Sequence, residues 1–481
     1  MSDEIAAVAD GSISTGSIQT AVPRTIRDVS AADLPDQPSA TGGSHRPRGR
    51  ACESGIECGP ASTIAAGVRD GCLLPSRVVA DALTRISIAR RESNAFAADR
   101  IAERAMAEAA AVEQRDDLDV LPLAGVPVVV EPPLSGSTTT ADHPIPARLR
   151  AAGAVIVGIV PTAEQGRRGG NDAAEQVIGN PWNTTRIAGG SAGALVAAGL
   201  VPLGYGDNGL GSVCVAAACC GVFAITPGRY PLADARFCSS PVEQGVLATT
   251  VDDAALALAV LAARPDLAEV DPPGRLRIGL VVDPPSRLVR LDWHWIAAAR
   301  RAASIAAAAG HLVEPAVLPY GNAITAVLLR RLAVGGGATP APPCSAHLSY
   351  RAGSRSAFGW SARGVLRERP DRIERVEARL LEFFDCYDVV ITPTLAVPPP
   401  KKRGSRLLRR SVPALADLRF APFPPVWDLV GMPTVSLPMG MHPESRTPVA
   451  AQLAGPPGSE STLLRLSAQL ETNYPWQRTA S

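Results

Sequence analysis

Apolar residues first recur at helical spacing between Ala61 and Gln114. Val78, Val79, Leu83, Ile86 and Ile88 mark one stretch, and Ile101, Ala105 and Ala109 repeat at steps of four in the next. Pro75-Ser76 opens the first stretch, where proline's fixed φ suits the first turn of a helix. The pattern then changes period. Gly125 to Val130 (GVPVVV) and Ala154 to Val160 (AVIVGIV) are continuous β-branched runs, as expected of strands buried on both faces. Ile145 to Ala152 predicts a short helix between them, so the pair is expected to be parallel with a crossover. Leu276 to Val282 and Asp388 to Thr392 read as further strands, and Trp293 to Gly310 as an Ala-rich helix closed by Gly310. Thr434 to Pro438 and Val449 to Leu453 read as a late strand pair, and Ser461 to Asn473 as a final helix. Strands interleaved with helices throughout predict an α/β sandwich around one large sheet.

Two regions lack this periodicity. Residues 1–58 are rich in Ser, Gly, Pro, Arg and Asp, and are expected to be a disordered or loosely docked N-terminal arm, leaving 59–481 as the folded domain. Residues 321–374 carry many Gly, Pro and Arg and are expected to be an irregular, variable, substrate-side part. Lys401-Lys402-Arg403 with Arg406, Arg409 and Arg410 form a short basic cluster, read as a solvated loop rather than an anion site.

Composition narrows the function classes. The 481 residues are 46% apolar with a formal net charge of +1, an ordinary globular profile with no field to gather phosphates, so no nucleic-acid partner is expected. The nine cysteines lack metal-ligand spacing: Cys52 and Cys58 have no matching His/Cys cluster, and Cys219-Cys220 looks like core packing. No metal or cofactor is expected, and a reduced, cytoplasmic protein is the simplest reading. The first residues include Asp3 and Glu4 and no basic leader, and Ala192 to Val201 is too short and broken to span a bilayer, so neither secretion nor a membrane partner is expected.

The candidate chemistry lies between Gly189 and Gly221. Gly206-Asp-Asn-Gly-Leu-Gly-Ser212 reads as a glycine loop whose amides from Gly209 to Ser212 can form an anion nest around an acyl group on Ser212. Acyl transfer needs such donors aimed at the developing oxyanion.

The order of the surrounding motifs resembles the amidase signature family, whose members hydrolyse carboxamides. Asn94-Ala-Phe96, Leu123-Ala-Gly-Val-Pro-Val-Val-Val130, Asn180-Pro-Trp-Asn183, Gly189-Gly-Ser191 and Gly199-Leu-Val-Pro-Leu203 match in sequence. Ala218-Cys-Cys-Gly221, Tyr387-Asp388 to Thr394 and Gly431-Met-Pro433 follow, so the likeness covers about residues 61 to 476. The resemblance implies an α/β/α sandwich around a large mixed, twisted sheet. It also implies a nucleophilic serine, a second serine that relays its proton, and a lysine that accepts it. Ser212 matches the nucleophile and Ser191 the relay, with the Gly190–Ser191 bond then expected to be cis. Asn208, Gly209, Leu210, Gly211 and Cys214 fall at the substrate side of the loop.

Several positions depart from the family pattern. Where the family writes G-V-P-V-x-V-K-D, this chain ends in Glu131-Pro132, so an acid occupies the lysine's place. Ser191 lies in Gly189-Gly-Ser-Ala-Gly-Ala194, about three residues shorter than the family's G-G-S-S-G-G-S before its Ala-rich helix, nearly one helical turn. The loop's usual acid falls on Asn208, the arginine after the nucleophile on Cys214, and a glycine on Leu210, which crowds the loop. A carboxylate a few ångströms from an oxyanion costs about 4 kcal/mol at an effective dielectric near 20, or about three powers of ten in rate. Cys214 shares Ser212's side if the local chain is a strand, but no base lies beside it.

Three functions remain open from the sequence. The first is a degenerate Ser–cis-Ser–Lys site with a binding, subunit or repurposed role for an amide-like small molecule. The second is an active amidase or esterase, with Ser212 as nucleophile, Ser191 as relay and Glu131 as an unusual base. The third is a partner-dependent subunit of an amide-transferring complex. The sequence leaves the choice between a homodimer and a partner subunit open.

Overall fold

The computed structural model describes residues 59–93, 101–131, 144–160, 178–228, 243–320, 324–334, 370–402 and 413–480. The chain divides into two units, Met1–Pro47 and Arg48–Ser481, and every described residue belongs to the second. The expected N-terminal arm and Asn94-Ala-Phe96 lie outside the described residues, as do Arg403, Arg406, Arg409 and Arg410 of the basic cluster.

Twelve strands are described. They are β1 (Pro127–Val130), β2 (Val155–Ile159), β3 (Gly179–Asn180), β4 (Asn183–Ile187), β5 (Leu203–Asn208) and β6 (Phe223–Thr226). There follow β7 (Glu243–Ala248), β8 (Arg277–Leu280), β9 (Leu312–Pro315), β10 (Val389–Pro393), β11 (Thr434–His442) and β12 (Thr447–Ala454). The first helices are α1 (Ala61–Arg69), α2 (Pro75–Ser93), α3 (Ile101–Glu113), α4 (Pro144–Ala151), α5 (Ser191–Ala197) and α6 (Ser212–Cys220). Then come α7 (Val251–Ala262), α8 (Trp293–Ala308), α9 (Ile324–Val334), α10 (Pro370–Phe384), α11 (Pro413–Phe420), α12 (Pro424–Val430) and α13 (Glu460–Asn473).

Ten strands form one sheet in the order β2-β1-β5-β7-β6-β11-β12-β10-β8-β9. The sheet is mixed. β1 runs parallel to β2 and β5, and β8 parallel to β9 and β10, while the central pairings are antiparallel. β1 and β12 are buried along their whole lengths, β1 as its continuous apolar run requires. The crossover β1–α4–β2 gives the expected parallel pair, and the late strand pair is an antiparallel hairpin.

Two apolar clusters fill the layers. The larger draws on β1, β2, β5 to β7, β11 and β12 with α5 to α8 and α13 and holds Trp295; the smaller packs α9, α10 and α12 against Val281 and Val390 and holds Trp427. Both tryptophans are at most 1% exposed, and truncating either to alanine is expected to cost about 3–5 kcal/mol.

The structure differs from the sequence reading in places. Residues 321–374, expected to be irregular, contain α9 and the start of α10; 321–323 and 335–369 lie outside the described residues. α7 went unread because it is apolar on nearly every side: nine of its twelve residues are buried. Asn180-Pro-Trp-Asn183 makes the tight link between β3 and β4, a separate two-stranded sheet.

Candidate functional site

β1 and β5 are parallel neighbours, so their carboxyl ends lie at the same edge of the sheet. Glu131 directly follows β1, and its N–H donates to the Tyr205 carbonyl at 2.9 Å, extending the ladder by one residue. Ser212 begins α6 just beyond the end of β5. Ser191 begins α5, which lies across β5: a Cβ placed on Gly204 would meet the Ala192 Cβ at 3.2 Å. α5 in turn packs on α6, where a Cβ on Gly193 would lie 3.3 Å from the Ala216 Cβ. The fold therefore gathers the three sequence-predicted residues at the ends of two adjacent strands and the starts of two packed helices.

Glu131 is 7% exposed, and its Oε1 accepts the Ala192 N–H at 3.2 Å. That amide is one of the first-turn donors a helix leaves unpaired, so the carboxylate completes the start of α5. Its other oxygen, Oε2, would lie 3.5 Å from a Cβ on Gly206, so the carboxylate lies close to the β5 backbone. Glu131 is thus a structural acceptor at the position where the resemblance expects a proton-accepting amine.

The expected glycine loop is shorter than the sequence reading had it. Gly206, Asp207 and Asn208 belong to β5, and only Gly209 to Gly211 turn the chain into α6. Three amides of this turn already have acceptors. Gly209 N–H donates to Ser212 Oγ at 3.2 Å, and Leu210 N–H donates to Asp428 Oδ2 at 3.0 Å. Ser212 N–H donates to the Gly209 carbonyl at 3.3 Å. Three of the four donors expected to receive an oxyanion are therefore engaged within the protein. Leu210 sits at φ +56°, a left-handed conformation that costs a non-glycine residue about 1–3 kcal/mol. Gly211, at φ +78°, presses on α12: a Cβ there would lie 2.3 Å from the Pro424 Cβ.

Three expectations are corrected. The described residues contain no cis peptide bond, so Gly190–Ser191 is trans; Gly190 is extended and serves as the cap from which α5 starts. Cys214 lies on a helix, not a strand. Two helical positions turn it about 200° from Ser212 and into the sheet, where its Sγ is 3.4 Å from Thr434 Oγ1. Cys214 is fully buried away from the substrate side, and burial pushes its thiol up to about 11, against the bonds to Thr434 and Thr226. Asn208 is 3% exposed and holds the turn from below, its Oδ1 accepting the Val213 N–H at 3.1 Å.

The sequence reading missed Asp428. Its carboxylate accepts both the Leu210 N–H and, at 3.0 Å, the Asn208 Nδ2. The available signal was a lone acid inside the apolar run Pro424-Pro-Val-Trp-Asp-Leu-Val-Gly431, immediately before the Gly-Met-Pro motif.

Among the described residues, one His/Asp group has metal-like spacing: Asp292, His294 and His442 bring one ligand atom each within 4.8 Å of one another. Their hydrogen bonds argue against ligation. His442 Nδ1 accepts the Ser445 N–H at 3.2 Å, which puts the ring proton on Nε2, facing Asp292 Oδ2 at 3.2 Å. A ligating imidazole reverses this, coordinating through one nitrogen and donating from the other. Among the described residues no helix is long and apolar enough to cross a membrane.

Comparison with known proteins agrees with this architecture. The Amidase family profile matches residues 132–464, beginning one residue after Glu131. AmiB2 of Mycobacterium tuberculosis (strain ATCC 25618 / H37Rv), an inferred amidase, is 32% identical over 414 residues, covering 78% of this chain and 87% of that protein. The 6-aminohexanoate-cyclic-dimer hydrolase of Pseudomonas sp. (strain NK87) is 28% identical over 372 residues, 68% of this chain and 75% of that protein. A solved structure of 6-aminohexanoate cyclic dimer hydrolase superposes with a TM-score of 0.69 at 24% identity, covering 88% of this chain and 98% of the other. With the mixed ten-stranded sheet and the ordered motifs, these matches establish that the chain belongs to the Amidase family, the amidase signature proteins.

Proposed function

We propose that this protein keeps the amidase pocket but not the serine–serine–lysine route to amide hydrolysis, and that the pocket binds a small amide-like ligand or serves a repurposed role. The observation that carries this reading is the Glu131 carboxylate, fixed by the Ala192 N–H in the place of the proton-accepting lysine. With no amine there, the proton of Ser212 lacks the family's acceptor, and a carboxylate faces any oxyanion that forms. The engaged Gly209 and Leu210 amides point the same way.

The test is covalent labelling by a fluorophosphonate, run beside hydrolysis of small carboxamides and of 6-aminohexanoate cyclic dimer, the substrate in a relative's name. Neither labelling nor turnover is expected from the unmodified chain. Brisk labelling or turnover that disappears in Ser212→Ala would sink the proposal. It would favour the second reading, an active hydrolase using Ser212, which draws its support from the retained serines and from relatives named as amidases.

A further inference from the structure

We infer that Asp428 is the positioning residue of the Ser212 turn, and that it carries from α12 the negative charge that the family pattern places at position 208. The inference concerns the site of the proposed function and rests on that reading only for the identity of Ser212 as the nucleophile-position serine.

The geometry is a closed set of three hydrogen bonds. Asn208 Nδ2 donates to Asp428 Oδ1 at 3.0 Å, and Leu210 N–H donates to Asp428 Oδ2 at 3.0 Å. Asn208 Oδ1 accepts the Val213 N–H at 3.1 Å. One carboxylate thus grips the turn on both sides of Gly209, and Asn208 passes that grip to the first turn of α6. Bonds from neutral donors to an ionised acceptor are the stronger kind, and here they oppose a local cost, the left-handed Leu210 at φ +56°. Pro424 closes the same face, since Gly211 has no room for a side chain against it. A single short helix therefore fixes residues 208 to 213 from outside. Each Asp428 oxygen accepts one of these bonds, which makes the residue a positioner of the loop.

The arrangement also explains why position 208 can lack its usual acid. The 208–428 contact needs one carboxylate and one amide, and hydrogen-bond logic is indifferent to which side carries which. Exchanging them preserves every bond. In the exchanged protein, the carboxylate now at position 208 would accept the Val213 N–H with one oxygen and the amide NH2 now at position 428 with the other. The amide oxygen at position 428 would accept the Leu210 N–H. Either single change fails. Asp428→Asn sets one amide NH2 against another, and Asn208→Asp sets two carboxylates about 3 Å apart, where both cannot stay ionised.

The experiment is a double-substitution cycle read by amide hydrogen exchange of the peptide covering residues 205–213, with the 434–454 hairpin as internal control. Asp428→Asn and Asn208→Asp are each expected to speed exchange of the turn at least tenfold at pH 7 and to leave the hairpin within twofold. The double variant is expected to return to within threefold of the unmodified protein. Asn208→Asp alone is also expected to regain protection as pH falls and the two carboxyls come to share a proton; the unmodified chain should not regain protection in this way. Unchanged exchange in Asp428→Asn overturns the inference, as does a double variant no better than the singles. None of these readouts uses Ser212 reactivity, so a hydrolytically active chain would overturn the proposed function and leave this result intact.

Discussion

At the scale of single residues, the Glu131 carboxylate serves the start of α5 by accepting the Ala192 N–H. The resemblance predicts that Glu131→Lys restores a base. The Ala192 N–H at 3.2 Å predicts a cost, because an ammonium set against that donor leaves the start of α5 without its acceptor. Loss of such a cap is worth about 1–2 kcal/mol. Glu131→Lys is therefore expected to lower the melting temperature by a few degrees, measured by thermal unfolding. Carboxamide turnover is expected to stay at the unmodified level unless the turn amides are also released. Cysteine chemistry gives a second check. Cys72 and Cys386 are exposed, whereas Cys214, Cys219 and Cys220 are buried, and burial raises the Cys214 thiol to about 11. Iodoacetamide at pH 8 is expected to alkylate Cys72 and Cys386 in the native protein and to reach the buried three only after unfolding, as peptide mapping would record. The placing of Ser191, Ser212 and Glu131 at one end of the sheet could be read from sequence order because each sits at the end of a recognisable motif. Asp428 could not, since it meets Leu210 from 218 positions away.

Among the elements, those with a clear period were legible and those without one were not. β1, β2 and β10 follow from continuous, β-branched apolar runs. β5 did not, because Leu203-Gly-Tyr-Gly-Asp-Asn208 spends its positions on glycines that let α5 and the Glu131 carboxylate approach. α6 did not either: Val213 to Cys220 are all buried, so the helix carries no polar face to betray its period. α8 offers a prediction at this scale. Asp292 caps it through the His294 N–H at 2.8 Å and also accepts from His442 on β11. Partial burial pushes the Asp292 carboxyl up, but the bonds from the His294 backbone, His442 and the His294 ring outweigh it and hold the carboxyl below its usual value. A carboxylate so depressed contributes stability above its unfolded value of about 3.9. That contribution is lost as pH falls through the lower folded value. Asp292→Asn keeps a capping oxygen and removes the charge. Its melting temperature is expected to fall less steeply than that of the unmodified protein between pH 5 and about 3.

For the whole molecule, the order of strands in space departs from their order along the chain. β11 and β12 come last in sequence yet lie between β6 and β10, in the middle of the sheet. β6 pairs with β11 and β10 with β12, so among the described strands the two halves of the sheet are joined only through this hairpin. A chain ending before Thr434 is expected to partition into the insoluble fraction when expressed, because β6 and β10 would present open edges for pairing with other chains. A soluble, monomeric product on size-exclusion chromatography would contradict this. The same topology bears on how the protein matures on the ribosome. Everything up to β10 has emerged while the middle of the sheet is still unmade, so the nascent chain waits with two templates exposed until its closing hairpin arrives. Synthesis that pauses late in this message would leave its product dependent on a chaperone.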